Sequence, residues 1–314
     1  MVENIEKIEN IISAYPYPPE LYFTKLGVSA DEIIAGWSSE IINRVKNGTP
    51  IIFQENLGLV CYKESSFDTK VLKLNTARIY AIIPSDIDNM ESLRALVEFV
   101  TDSLFSVGVE YATYRFNSKD VNLQDVLLAR GFTKVDDYVV LVRNAETPIS
   151  EYTRPQGISI RIAQELDVPI LQKNHSHTFT SSRFFVDPAV TTEAATLMHS
   201  EWINNSVKKQ VADEVMVAVD ETDTPIGFIT LSVESKYNIT TGHIPLIGVR
   251  RDPEFVGKKI GRLLMEAAFK WFNDRECTYF FIETQGANYA AIKSYEGAGY
   301  TPIGQGITYS WSNN

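Results

Sequence analysis

The chain has 314 residues, 44% of them hydrophobic and 22% charged, with a formal net charge of −11. That composition excludes a disordered or fibrous chain and leaves room for two globular domains of ordinary size. The acidic balance argues against a nucleic-acid partner, because holding a phosphate backbone needs a basic face.

The first ten residues, MVENIEKIEN, are acidic and amphipathic, with no basic region leading into an apolar core. No stretch approaches the roughly 18 uninterrupted apolar residues of a membrane span, so the expectation is a cytoplasmic protein with no membrane partner. Cys61 and Cys277 lie far apart inside apolar, strand-like runs and read as reduced core residues, with no disulfide or metal framework.

In chain order, the pattern predicts a helix over Ile5 to Ala14, a connector broken by Pro16, Pro18 and Pro19, and a helix over Ala30 to Val45. Asn47-Gly48 signals a turn before a strand from Pro50 to Phe53. Strands follow at Gly58 to Tyr62 and Ala77 to Ile83, then a helix at Met90 to Phe105, a strand at Glu110 to Phe116, a helix at Leu123 to Arg130 and a strand at Tyr138 to Val142. Thr147 to Gly157, with two prolines and scattered charges, reads as a linker between a domain over 1–150 and another over 157–314. The second domain is expected as a strand (Ile158 to Ala163), a helix (Glu165 to Asn174), a loop and a helix (Thr192 to Val207). Strands at Val215 to Val219, Ile226 to Glu234 and His243 to Val249 come next.

The stretch VRRDPEFVGKKIGRLL, Val249 to Leu264, reads as a strand entering a glycine-containing turn and then a helix. The first turn of a helix has unpaired N–H groups and partial positive charge, which makes it an anion site. Gly257 and Gly261 allow close approach to the backbone, and Lys258, Lys259 and Arg262 add cations beside it. Arg250 and Arg251 extend this basic spot on an acidic body. Ile260, Leu263, Leu264, Ala267, Ala268 and Trp271 give the helix one apolar stripe. Taken alone, the stretch is equally an ordinary strand-to-helix turn with a solvated lysine pair.

Downstream, YFFIETQGANYAAIKSYEGAGY (279–300) combines a β-rich run with a short helical segment closed by Gly299. Asn288, Ala291, Ile292, Tyr295, Gly299 and Tyr300 stand at fixed spacing along it. Together the two stretches resemble the GNAT superfamily of N-acetyltransferases. In that superfamily the first wraps its amides around the diphosphate of acetyl-CoA, and the second reads N-x-x-A-hydrophobic-x-x-Y-x-x-x-G-aromatic. Two departures stand out: Val256 replaces the usual Arg or Gln, and Lys259 replaces a Gly.

The resemblance implies an α/β (α+β) fold with a mixed, mostly antiparallel sheet flanked by helices. It implies cofactor contacts at Ile247, Gly248, Val249, Val256, Gly257, Lys258, Lys259, Ile260, Gly261, Arg262, Asn288 and Ala291. It also implies direct transfer to an amine, with backbone N–H groups near Ile247 to Val249 polarising the thioester, Tyr295 protonating the departing thiolate, and no metal. A phenol with a reference pKa of about 10 suits that late proton donation. The plainer alternative is that Tyr295 is a core tyrosine.

A shift of 168 lays residues 109–132 on 277–300, Tyr111 on Tyr279 and Gly131 on Gly299, so the fold reads as a tandem duplication. Leu127 replaces Tyr295, Asp120 replaces Asn288, and Ser85 to Leu93 holds no glycine. The first copy is therefore expected to be degenerate, shaping the acceptor side.

Within the superfamily the resemblance is to the dTDP-fucosamine acetyltransferases, carried by FTSSRFFVDP (179–188), EWINNSV (201–207) and the block after Thr284. It implies a nucleotide-linked 4-amino sugar as acceptor. Ser181, Ser182 and Arg183 make a physically sensible diphosphate or sugar clamp, and Arg183 reads equally as a surface arginine on a mobile loop. Other small-molecule amines, a protein N-terminus, an amino acid or a polyamine, remain open, as does a non-catalytic acyl-CoA-binding protein. His175 and His177 lack further ligands for a metal, and Glu283 is a tempting general base that the resemblance does not support.

Overall fold

The computed structural model describes residues 5–47, 51–54 and 56–313. Gly48 of the expected turn and the strand start at Pro50 fall outside them. The helices are α1 (Ile5–Ala14), α2 (Ala30–Lys46), α3 (Ser66–Leu72), α4 (Met90–Ser106), α5 (Val121–Ala129), α6 (Val168–His175), α7 (Arg183–Val186), α8 (Thr192–Val207), α9 (Ile260–Asn273) and α10 (Tyr289–Gly297). The strands are β1 (Ile51–Gln54), β2 (Gly58–Glu64), β3 (Thr76–Pro84), β4 (Tyr111–Asn117), β5 (Thr133–Asn144), β6 (Ser159–Ile162), β7 (Glu214–Val219), β8 (Pro225–Lys236), β9 (Ile239–Ile244), β10 (Ile247–Val249), β11 (Tyr279–Gln285) and β12 (Thr301–Ser312). None of the described helices is long and apolar enough to cross a membrane.

The chain forms two compact units. Unit one runs up to Tyr138 and takes in Asp187–Val190 and the residues from Gly304 on; unit two holds Val139–Val186 and Thr191–Ile303. Strand β5 is thus divided between the units at Tyr138, and β12 at Ile303. Each unit mixes strands and helices, and most of its strand pairs are antiparallel.

In unit one the strand order is β1-β2-β3-β4-β12. Helix α1 and helix α2 pack their apolar faces, Ile8, Ile12, Trp37, Ile41 and Ile42, on Leu59, Cys61, Ala81 and Ile83 of β2 and β3. Helix α2 starts cleanly because Ser29 and Glu32 form a reciprocal capping box. The N-terminal segment therefore closes one face of this sheet, with α4 and α5 on the other core cluster.

In unit two, β11, β9, β8, β7 and β6 lie in that order, and β10 pairs β8. Helix α9 carries the core: Ile260, Leu264, Met265, Ala268, Phe269, Trp271 and Phe272 are buried. The expected stripe is rotated, with Leu263 and Ala267 only half-buried. Large rings set the rotation, since Phe269 and Phe272 pack at 5.5 and 5.1 Å from Phe280. Gly242 makes room for them, as a Cβ there would lie 2.3 Å from the Phe272 ring.

The duplication is visible in three pairs of positions 168 apart. Tyr111 and Tyr279 each begin the parallel pairing of a central strand, with Thr76 and Thr241 as partners. Asp120 and Asn288 each cap the following helix through a side-chain oxygen, and Gly131 and Gly299 end those helices at φ +90° and +88°.

Several elements differ from expectation. The strand expected from His243 to Val249 is two strands, because Pro245 has no N–H to continue the ladder. The helix expected from Glu165 is a 3-10 turn (Glu165–Asp167) followed by α6. The 3-10 turn at Leu21–Leu26, helix α3 and helix α7 were not visible in the hydrophobic pattern, being too short for a clear period.

Candidate active site

The site begins where β9 ends. Strands β9 and β11 run parallel from Thr241 beside Tyr279 to Ile244 beside Ile282. Beyond Pro245 the chain shifts to β10, which pairs with β8, Ile247 opposite Ile229 and Val249 opposite Gly227. Strand β11 continues through Glu283 to Gln285 without that neighbour, so the sheet opens.

Backbone alternation then decides which amides face the opening. Leu246 O accepts from Thr230 N at 2.9 Å, and Arg250 N donates to Ile226 O at 2.8 Å, both on the β8 side. Every second residue turns its N–H and C=O to the same side, so those of Ile247 and Val249 face the gap. Gly248 between them has no room for a side chain: a Cβ would stand 2.9 Å from Phe228 and 3.1 Å from His175 Nδ1.

A cavity of about 350 Å³ occupies the opening. Ile247 to Val249 and Glu283 to Gln285 form two of its walls, with Asn288, Ala291 and Tyr295 of α10 beside them. Thr178 to Ser182, His199 and Trp202 close the remaining side. Tyr295 is 8% exposed, and burial raises its phenol above the ordinary value of 10. Burial thus keeps the hydroxyl protonated over the neutral range.

From Val249 the chain turns through residues 250–259 into α9. Phe255 N and Val256 N fold back on Asp252 O at 2.9 and 3.2 Å, and Lys258 N on Phe255 O at 3.3 Å. Gly257 takes φ +77° and Lys259 φ +59°. Lys259 thus keeps the left-handed conformation that a glycine would take, at a cost of about 1–2 kcal/mol. No side chain caps α9, so the amides of Ile260, Gly261 and Arg262 are available to an anion. A Cβ on Gly261 would meet only Val249 Cγ2, at 3.9 Å, so internal packing does not require glycine there.

The charged side chains of this loop divide. Lys258 is exposed, and Lys259 Nζ stands 5.9 Å from the Tyr152 ring. Arg262 turns away from the loop: Nη1 donates to Gly297 O at 2.6 Å and Nη2 to Ser150 Oγ at 3.1 Å. Its guanidinium ties α9 to the end of α10, leaving its backbone N–H for an anion. Val256 is 64% exposed.

Asn288 is a helix cap. Its Oδ1 accepts from Ala291 N at 3.3 Å and its Nδ2 donates to Thr284 Oγ1 at 3.2 Å, which fixes α10 against β11. Gly299 turns that helix back under Arg143, whose Nε donates to Ala298 O at 3.1 Å. These local bonds place Tyr295 on the cavity wall.

On the acceptor side, Ser182 lines the cavity and its Oγ is enclosed without a partner among the described residues. Arg183 is not on that wall; its guanidinium lies 4.7 Å from the Phe184 ring. Arg251 is on it, donating to Thr178 O at 3.2 Å. Phe179 anchors the loop by stacking on His199 at 4.9 Å. His175 is buried, with its pKa lowered to about 4 by burial, then by Arg250 and His177. His199 escaped the sequence reading; its signal is a polar ring on the inward face of α8 that Ala195, Met198 and Ile203 define.

Unit one repeats the opening and fills it. Strands β3 and β4 pair only from Thr76 beside Tyr111 to Ile79 beside Tyr114. Three residues beyond Ile79, Ile82 occupies the place of Ile247, and its N–H donates to the Tyr114 hydroxyl at 3.1 Å. The Tyr15 hydroxyl donates to Asp120, whose carboxyl burial pushes up.

Geometry of this kind can hold a diphosphate on the α9 amides, polarise a carbonyl with the β10 amides and deliver a proton from Tyr295. Comparison with known proteins points the same way. Residues 180–300 match the acetyltransferase (GNAT) family. A curated mycothiol acetyltransferase from Propionibacterium freudenreichii is 29% identical over 96 residues, 31% of this chain and 30% of the relative's length. Among solved structures, a GCN5-related N-acetyltransferase from Sphaerobacter thermophilus aligns with a TM-score of 0.60 at 14% identity, over 99% of this chain and 93% of that one. A tandem GNAT protein from the clavulanic acid biosynthesis pathway aligns with a TM-score of 0.58 at 11% identity, over 100% and 96%. These structural likenesses concern the fold.

Proposed function

Starting from a tandem GNAT fold whose residues 180–300 carry the acetyltransferase pattern, we propose that this protein transfers an acetyl group from acetyl-CoA to a primary amine. The observation that carries the reading is the opened sheet. Two amides that face the gap, those of Ile247 and Val249, lead to a helix start with no side-chain cap among the described residues, and Tyr295 lines the same cavity.

In this reading the amides of Ile260, Gly261 and Arg262 hold the CoA diphosphate, with Lys258 and Lys259 adding charge outside it. The Ile247 and Val249 amides stabilise the oxygen that gains charge as the amine adds to the thioester. Bringing amine and thioester together in one cavity supplies the entropy advantage of direct transfer. Tyr295, kept protonated by burial, gives its proton to the departing thiolate.

The acceptor proposed is a nucleotide-linked 4-amino-6-deoxy sugar. Support comes from the hydroxyl-bearing wall of Thr178, Thr180, Ser181 and Ser182, which suits sugar oxygens, and from Arg251 on the same cavity for a phosphate. Thiol release from acetyl-CoA with dTDP-4-amino-4,6-dideoxygalactose tests this. Release with amino acids, polyamines or N-terminal peptides alone would move the acceptor to those amines. Tight acetyl-CoA binding with no release on any amine would make the protein an acyl-CoA-binding module.

A further inference from the structure

Helix α8 presents Ala195, Met198, His199, Ile203 and Ser206 inward, so one titratable ring stands on an otherwise small or apolar face. His199 is 1% exposed. Aromatic rings enclose it: Phe179 stacks on one face at 4.9 Å, Phe185 lies at 5.5 Å, and Phe184 meets it edge-on at 6.1 Å. Nδ1 stands 2.8 Å from Ala195 O. A carbonyl only accepts, so Nδ1 carries the hydrogen and Nε2 keeps its lone pair. With Phe179 on one face and the helix backbone on the Nδ1 edge, and with Nε2 not among the fully enclosed polar atoms, the Nε2 edge is the part that can meet the cavity whose wall His199 shares with Tyr295 and Ile247. His175 differs, since both its nitrogens are enclosed without partners among the described residues.

We propose that Nε2 of His199 is the base that takes the first proton from the acceptor ammonium. The inference rests on the acetyl-transfer reading above. The proton balance closes. Nε2 takes one proton from R–NH3+, and the freed amine lone pair forms the N–C bond to the thioester carbonyl. The C–S bond then breaks, and the Tyr295 hydroxyl gives its proton to the thiolate sulfur. The phenolate oxygen takes the remaining surplus proton from the new amide nitrogen, and the imidazolium returns its proton to water. The sum is R–NH3+ plus acetyl-CoA giving R–NH–acetyl, CoA thiol and H+.

The surroundings favour a neutral ring. Burial lowers the His199 pKa and the Arg183 charge on α7 adds to this, while the bond to Ala195 O opposes them. Arg251 and Glu283 are the charged residues on the cavity wall, and α6 contributes the buried His175. A ring that is neutral at pH 7 is able to accept a proton, which an imidazolium is not.

The test compares wild type with His199→Gln from pH 6 to 9.5, following thiol release from acetyl-CoA with dTDP-4-amino-4,6-dideoxygalactose. At pH 6.5 kcat/KM is expected to fall by about 10²–10⁴, the range of general base catalysis. The deficit should shrink as the pH approaches the amine's own pKa, with acetyl-CoA affinity unchanged by calorimetry. Ring 15N NMR of the wild-type acetyl-CoA complex should show the Nδ1–H tautomer titrating below pH 6.5. An equal deficit at every pH, no deficit, or an Nε2–H tautomer overturns the proposal, as does a pH-dependent deficit in Glu283→Gln alone. If this sugar nucleotide releases no thiol but another amine does, the acceptor reading fails and the same comparison with that amine decides His199. Silence with every amine overturns both readings.

Discussion

Replacing Tyr295 by Phe removes one oxygen from the cavity wall and leaves the ring in place. The hydroxyl has no hydrogen-bond partner among the described residues, and burial is the one cause of its raised pKa. Stability should therefore change by less than about 0.5 kcal/mol, the range of substitutions that break no named interaction. The ring packs 6.2 Å from Tyr300 and keeps that contact as Phe. Catalysis should respond differently. Loss of a general acid lowers the rate by about 10²–10⁴, or about 2.7–5.4 kcal/mol of barrier at 1.36 kcal/mol per tenfold. Because burial holds the phenol above its ordinary 10, the wild-type rate should show no decline from this group up to about pH 9. Single-turnover thiol release separates chemistry from product release, and calorimetry checks acetyl-CoA binding. A Phe variant with full single-turnover rate, or one whose defect is a large drop in melting temperature, would refute the assignment.

Gly261→Asp should abolish acetyl-CoA binding measured by calorimetry while leaving the melting temperature near wild type, since a side chain there meets only Val249 inside the protein; retained affinity would move the diphosphate elsewhere. Gly248→Ala forces a methyl against buried Phe228 and His175 and should cost about 1–3 kcal/mol in denaturant unfolding, with slower turnover as the β10 amides shift; unchanged stability would mean that the opening relaxes freely. Buried His175 has a folded pKa of about 4 against 6.5 for the free side chain, so the unfolded chain binds its proton first. Its contribution is complete above pH 6.5 and is lost as the pH falls toward 4, by about 3 kcal/mol at about 1.36 kcal/mol per pH unit. His175→Phe should flatten that part of the stability profile, and an unaltered slope between pH 6.5 and 4 would show that the ring is not kept neutral.

Local chemistry made much of the second unit legible. Asn288 reads as a helix start because its side chain can cap three residues on, and Gly299 as a helix stop because φ is positive there. The helix after Lys259 was legible from its period, although its buried face is turned, because Phe269 and Phe272 outweigh Leu263 and Ala267 in the core. The opening between β10 and β11 was only half visible: Pro245 marks the break, but an apolar run from His243 to Val249 reads as one strand until the partner strands are known. Arg183 was singled out for its charge, and nothing in its neighbours foretold that it would lie against Phe184 while Arg251 reached the cavity. His199 could not be told from a core histidine, because its Nε2 edge has meaning only once Ala195 and the Phe179 loop surround the rest of the ring.

Strand β4 of unit one takes its antiparallel partner from Gly306 to Ser312 of β12. On the ribosome these residues emerge only after the whole of unit two, roughly 10 to 40 s after β4 at about 5–20 residues per second. Throughout that interval the nascent first unit carries a strand edge from Tyr111 to Asn117 with its pairing groups unused. Such an edge accepts any strand of matching register, including the same segment of a neighbouring polypeptide. The fold thus leaves closure of this strand edge to the last segment made, and until then the edge remains a template for pairing.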